Sequence, residues 1–340
     1  MGAKRWMLAV LATMGVGWKT RCAERMQLVW PTPNSAWSDG RTIEDFIQPT
    51  SSGEASSGCF GCVRTGGAQF HEGIDLKPLK RDRSGEPTDA VSAVLGGVVR
   101  HVNSHAADSS YGRYVVIEHL GATPAVYSLY AHLARIADGL KAGDAVVAGQ
   151  TLGVMGRSAG GYTIPRERAH LHFEFGLMVT SGFQAWYDRR KFGSRNEHGL
   201  WNGMNLMGFD ALDFFNEHRA GKVDTFLQYL QGSRPAVTLR IATHRYPDFA
   251  RRYPDLVVRQ PEGLVAGWEI TTDSTGLPFR WRALSSMEVS GYRGNEVRII
   301  GHDAALAKVH RCKSLVVSQR GKPVPGRDLL TLIQQLFGVD

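Results

Sequence analysis

Between Phe70 and about Val179 the chain alternates short apolar runs with glycines. "AVSAVLGGVVRHV", "YGRYVVIEHL", "AVYSLYAHL", "AVVAGQTLGVM" and "HLHFEFGLMV" each carry β-branched or aromatic residues in partial alternation. Successive side chains of a strand face opposite sides, so such runs read as short strands with one face on a core. No long segment of 3.6-residue period interrupts them, which predicts a mainly β, antiparallel body. The stretch "RAHLHFEFG" shows the pattern most clearly. As a strand it puts His170 and His172 on one face, with Leu171 and Phe173 on the other.

The flanks read differently. Residues 1–22 place Lys4 and Arg5 before an apolar run from Trp6 to Trp18, the layout of a secretory signal peptide. That run is too short to span a bilayer comfortably, so no stable membrane span is expected after cleavage. Export to the periplasm or the cell-wall exterior is the expectation. Residues 23–65 have the turn and linker composition of an irregular arm, with one short helix candidate in "RTIEDFIQ". A metal-binding domain is expected over residues 66–182 and a polar connector over 183–204. Residues 205–340 form a mixed α/β region that closes with the amphipathic "GRDLLTLIQQLFG".

Composition adds little to this. The chain has 340 residues, 43% hydrophobic and 21% charged, which is ordinary for a globular protein, and 39 glycines that favour turns. A net charge of +8 suits nucleic acid, anionic lipid or an anionic wall polymer, and does not choose among them. Glycine runs without a Lys-Ser/Thr ending argue against a phosphate-binding loop. A missing G-x-S-x-G elbow argues against an α/β-hydrolase. Of four cysteines, Cys59 and Cys62 form a lone C-x-x-C in a Ser/Gly-rich loop. They read as a tight local disulfide in an oxidising compartment, and Cys312 as a buried apolar residue.

The chemistry gathers in five groups. "FHEGIDL" sets His71 and Asp75 four apart around Gly73, "LYAHL" ends on His132, and the strand above adds His170 and His172. Two nitrogens and one carboxylate with an open fourth position are what a catalytic zinc site needs, whereas structural sites are closed by four ligands, commonly thiolates. Five groups exceed three ligands, leaving two for acid/base work. A thermolysin-type H-E-x-x-H is absent.

In the order and content of "HEGIDL", "AVLGGVVRHV", "YGRYVVIEH", "YSLYAHL", "KAGDAVVAGQTLGVMG" and "HLHFE", the segment resembles the LytM/lysostaphin-type zinc metallopeptidases. The resemblance implies a duplicated-hybrid-motif type of antiparallel sheet and one Zn2+ per chain, held by His71, Asp75 and His172. It also implies that His132 and His170 are the catalytic histidines, base and oxyanion roles unassigned between them. The activity implied is hydrolysis of peptide bonds in peptidoglycan cross-links or stem peptides, by zinc-activated water with histidine assistance. Peptidoglycan peptides are then the expected partners, and no nucleic acid. Two alternatives stay open: a catalytically inactive regulator of other wall hydrolases, and a zinc endopeptidase of glycine-rich proteins.

Two runs depart from the family pattern, "LKRDRSGEPTDA" and "GRSAGGYTIPRERAH". In the second, Arg157, Arg166 and Arg168 could meet carboxylates of an acidic stem peptide through paired hydrogen bonds.

Overall fold

The computed structural model describes residues 24–259 and 263–339. The expected signal peptide lies outside the described residues. Antiparallel sheets dominate. The largest has seven strands, with Leu171–Met178 flanked on one side by Tyr127–Ala131, then Tyr114–Glu118, Gly97–Asn103 and Ala145–Val146. On its other side Leu171–Met178 takes two short partners end to end, Ile74–Leu76 and Leu206–Phe209. The mainly β antiparallel fold expected from the alternation is the one observed.

Alternation along Leu171–Met178 separates two environments. Leu171, Phe173, Phe175 and Leu177 are fully buried on one face. Phe175 packs there against Phe214 and Phe226, with ring centroids at 5.6 and 5.1 Å. Each such ring contributes on the order of 2 kcal/mol by leaving water. On the opposite face stand His172 and Glu174, also buried. Hydrophobic burial thus fixes the register, and the register fixes where the polar face points.

The flanking regions differ from expectation in four ways. The arm packs tightly: Trp30 stacks on Trp37 at 4.6 Å, and the fully buried Ile47 bridges to Leu76. The expected helix in "RTIEDFIQ" is only a single 3-10 turn, Ile43–Asp45, because Phe46 and Ile47 leave the helix to enter the core. The supposed connector holds an eight-residue helix, Phe183–Arg190, that buries Phe183, Trp186 and Tyr187. Finally Leu206–Phe209, expected to open the C-terminal region, completes the seven-stranded sheet.

Beyond it lie the helices Ala211–Arg219 and Phe226–Gln231 and a five-stranded sheet running from Val237–Ala242 to Val297–His302. That sheet is covered by the closing helix Arg327–Phe337, whose Leu329, Leu332, Ile333 and Leu336 are buried. Both sheets share one continuous hydrophobic core. The buried Glu118 also ties the seven-stranded sheet to the helix Asp248–Arg252, pairing with Arg252 and with Arg100 Nε at 2.6 Å.

Candidate metal centre

Two short strands and a glycine bring the first ligand pair to the central strand. His71 ends Gln69–His71 and Asp75 lies within Ile74–Leu76, directly opposite His172. Between them Gly73 passes so close to the central strand that a Cβ there would meet the Phe173 carbonyl oxygen at 2.2 Å. Any other residue would push the pair away.

His71 Nε2, Asp75 Oδ1 and His172 Nδ1 form a triangle with sides of 3.0, 3.1 and 3.2 Å. These are the atoms that could hold a metal ion among the described residues, and all three side chains are buried. A tetrahedral ion with bonds near 2.0–2.1 Å asks for donor separations of roughly 3.3 Å. The nitrogen and oxygen donor set is that of a catalytic zinc, so these residues fit the ion that the sequence implies.

Hydrogen bonds at the far side of each ring fix which nitrogen is available. His71 Nδ1–H donates to the Cys59 carbonyl at 2.8 Å, leaving Nε2 for the triangle. His172 Nε2–H donates to Glu174 Oε1 at 2.8 Å, leaving Nδ1. Glu174 is itself held by Tyr111 Oη at 2.6 Å and Tyr127 Oη at 2.8 Å. Such a buried carboxylate behind a ligating imidazole orients the ring and raises its basicity. Sequence reading missed Glu174, although it is the last residue of "HLHFE". It also missed Arg64, which bonds to Asp75 Oδ2 and approaches His71 Nε2 at 2.9 Å.

His132 and His170 stand beside the triangle, their rings 4.8 Å apart. Each spends Nδ1–H on a carbonyl: His132 on Ser158 at 2.8 Å, His170 on Arg168 at 2.7 Å. His170 Nε2 then lies 3.4 Å from Asp75 Oδ2. His132 holds a left-handed backbone, φ 61°, which is costly for a residue with a Cβ and is often found at functional sites. All five groups named from the sequence line one cavity of about 460 Å3.

Burial divides the charges. It pushes His132 well below the ordinary histidine range, with His170 and His172 adding to the effect. Burial also lowers His170, against the pull of Asp75. On His172 burial opposes the charge, but bonds to Asp75 and Glu174 win and raise it to about 9. Burial would likewise raise Asp75, yet His170 and His71 outweigh it and hold the carboxyl well below its usual value.

The remaining residues singled out from the sequence are dispersed. Arg157 and Arg166 both bond to Glu86, at 2.8 and 3.1 Å, and Arg168 lines the cavity. The local Cys59–Cys62 disulfide does not form. Cys62 bonds to Cys312, with the two Cα atoms 5.7 Å apart, and Cys59 is free. Cys62 sits on Gly61–Arg64, against which the C-terminal segment folds, so a partner 250 residues away is nearer the right geometry than its neighbour in sequence. Cys312 is therefore a cross-link, not an apolar filler, and burial pushes the Cys59 thiol up to about 11.

A β-sheet face that gathers two imidazoles and a carboxylate, with two further histidines at the rim, defines a metallopeptidase type of site. Residues 69–181, about a third of the chain, match the family model described as peptidase family M23. Among solved structures, the similar ones include three bacterial proteins. The catalytic domain of lysostaphin from Staphylococcus simulans is 19% identical, with a TM-score of 0.29 over 47% of this chain and 87% of that one. A mutant catalytic domain of the prophage-encoded M23 protein EnpA from Enterococcus faecalis is 27% identical, TM-score 0.27, over 38% and 79%. A zinc-containing peptidase from Vibrio cholerae is 23% identical, TM-score 0.25, over 44% and 33%. The chain spans about a third of the length of that peptidase. Comparison with curated protein sequences gave no match.

Proposed function

We propose that this chain is an exported, zinc-dependent endopeptidase that hydrolyses peptide bonds in peptidoglycan cross-links or stem peptides. The observation that carries the reading is the triangle of His71 Nε2, Asp75 Oδ1 and His172 Nδ1, with two further histidines on the same cavity. Its family match supports peptidase chemistry, and the basic-then-apolar start of residues 1–22 supports export.

When bound, zinc supplies a Lewis acid that polarises the scissile carbonyl and lowers the pKa of water toward 7. The chain's residues do the rest. Cys59 and Glu174 hold the rings of His71 and His172 so that their free nitrogens converge. His132 and His170, kept neutral by burial, each have Nε2 free because Nδ1 is tied to a carbonyl. One Nε2 can take the proton of the attacking water, and the other, once protonated, can support the oxyanion or protonate the leaving amine.

The test is digestion of purified sacculi by the zinc-loaded protein, with released peptides identified by mass spectrometry. Peptide release that stops on chelation and returns with zinc is expected. Full release by the chelated protein would sink the proposal, as would none from the zinc-loaded form.

A further inference from the structure

The two runs that depart from the family pattern clasp each other at the rim of the cavity. Arg81, from "LKRDRSGEPTDA", sends Nη1 to the carbonyls of Gly85 at 2.9 Å and Arg166 at 2.7 Å, and Nη2 to that of Glu167 at 3.2 Å. From the same run Glu86 accepts Arg157 Nη2 at 2.8 Å and Arg166 Nε at 3.1 Å. One carboxylate therefore matches two of the three guanidiniums of "GRSAGGYTIPRERAH". The clasp fixes the Arg166–Arg168 turn, whose last carbonyl holds His170 Nδ1 at 2.7 Å.

Arg168 is treated differently. Its side chain lines the cavity, and among the described residues no ion pair or side-chain hydrogen bond engages its guanidinium. This half-buried guanidinium shares the cavity with His170, whose Nδ1 is held by the Arg168 carbonyl. Its planar fork suits a carboxylate bound by two parallel hydrogen bonds.

We infer that Arg168 is a specificity-determining residue, and that the preferred substrate is a peptide carrying a free carboxylate next to the scissile amide. This rests on the peptidase reading above. Arg157 and Arg166, already matched by Glu86, are positioning residues of the wall. A neutral glycine-rich peptide offers Arg168 no partner and is the poorer substrate.

The test uses the zinc-loaded full chain and two pairs of synthetic peptides. One pair differs by a side-chain carboxylate or carboxamide, the other by a C-terminal carboxylate or amide. For the wild type kcat/KM should favour the carboxylate of one pair by about tenfold, the scale of a charge-assisted hydrogen bond. Which pair shows the preference tells a side-chain from a terminal carboxylate. Arg168→Gln should bring the ratio below about twofold, and Arg168→Lys should keep part of it as a point charge. Arg298→Gln, on the five-stranded sheet, should leave the ratio unchanged. Equal cleavage of both members by the wild type, or an undiminished ratio in Arg168→Gln, would overturn the inference. Should no peptide be cleaved, the peptidase reading is what fails. The same four peptides, titrated by fluorescence anisotropy, then read the ratio as binding.

Discussion

The two large sheets each carry a group of charged side chains, and the groups are built on opposite rules. On the five-stranded sheet Glu269 takes Arg240 at 2.8 Å and Arg282 at 2.8 Å, and Arg282 also reaches Glu288. Each charge of this group meets its opposite at a partly exposed surface. On the seven-stranded sheet Asp75 and His172, joined by His71 from the two-stranded sheet alongside, are nearly sealed from water and turn their donor atoms toward one another. Lone pairs 3.0–3.2 Å apart repel unless a cation or a proton sits between them. Matched pairs at a surface are a common way to hold strands together. Converging donors under burial are costly to fold and make sense as a site for a cation.

That contrast yields graded predictions. The largest effect falls on the histidines outside the triangle. His132→Ala and His170→Ala should each lower peptide release by about 10²–10⁴-fold while zinc stays bound, as expected for lost acid/base assistance. Activity within a few-fold of wild type in both would remove them from the catalytic role. Next comes Glu174→Gln, which weakens the hold on His172 Nε2–H and should reduce zinc affinity by about 10–100-fold in a competition titration with a chelating dye. Unchanged affinity would make Glu174 a packing residue only.

A third expectation concerns protons. His172 is raised to about 9, so in the metal-free protein it is protonated at neutral pH. Zinc needs the Nδ1 lone pair, so binding at pH 7 should release close to one proton, and affinity should rise with pH up to about 9. Calorimetry in buffers of different ionisation enthalpy reads that proton directly. Absence of release at pH 7 would contradict the charge assigned to His172. The smallest effect belongs to the matched ladder. Glu269→Gln should cost no more than about 1 kcal/mol in chemical denaturation and leave zinc affinity untouched. A loss of zinc there would show the two charge groups to be coupled.

How much of this was legible in the sequence depended on range. His170 and His172 share a face because strands alternate, and Phe173 and Phe175 then had to face the core; that follows from nearest neighbours alone. His71 and Asp75 lie four apart around a glycine, again a local signal. The failures around the site are long-range. Nothing local distinguishes Cys62 paired with Cys59 from Cys62 paired with Cys312, because only the fold of the C-terminal segment decides it. Arg157, Arg166 and Arg168 look alike in sequence, yet Glu86, 71 residues from Arg157, satisfies two of them and not the third. Glu174 was in plain sight, but its use depends on Tyr111 and Tyr127 arriving from other strands.

The most direct test is zinc stoichiometry, measured by elemental analysis of the purified chain and its single-alanine variants. One zinc per chain is expected in the wild type, none in His71→Ala, Asp75→Ala or His172→Ala, and one in His132→Ala and His170→Ala. Zinc retained by His71→Ala, or lost from His132→Ala and His170→Ala, would contradict the division of the five groups into ligands and catalysts.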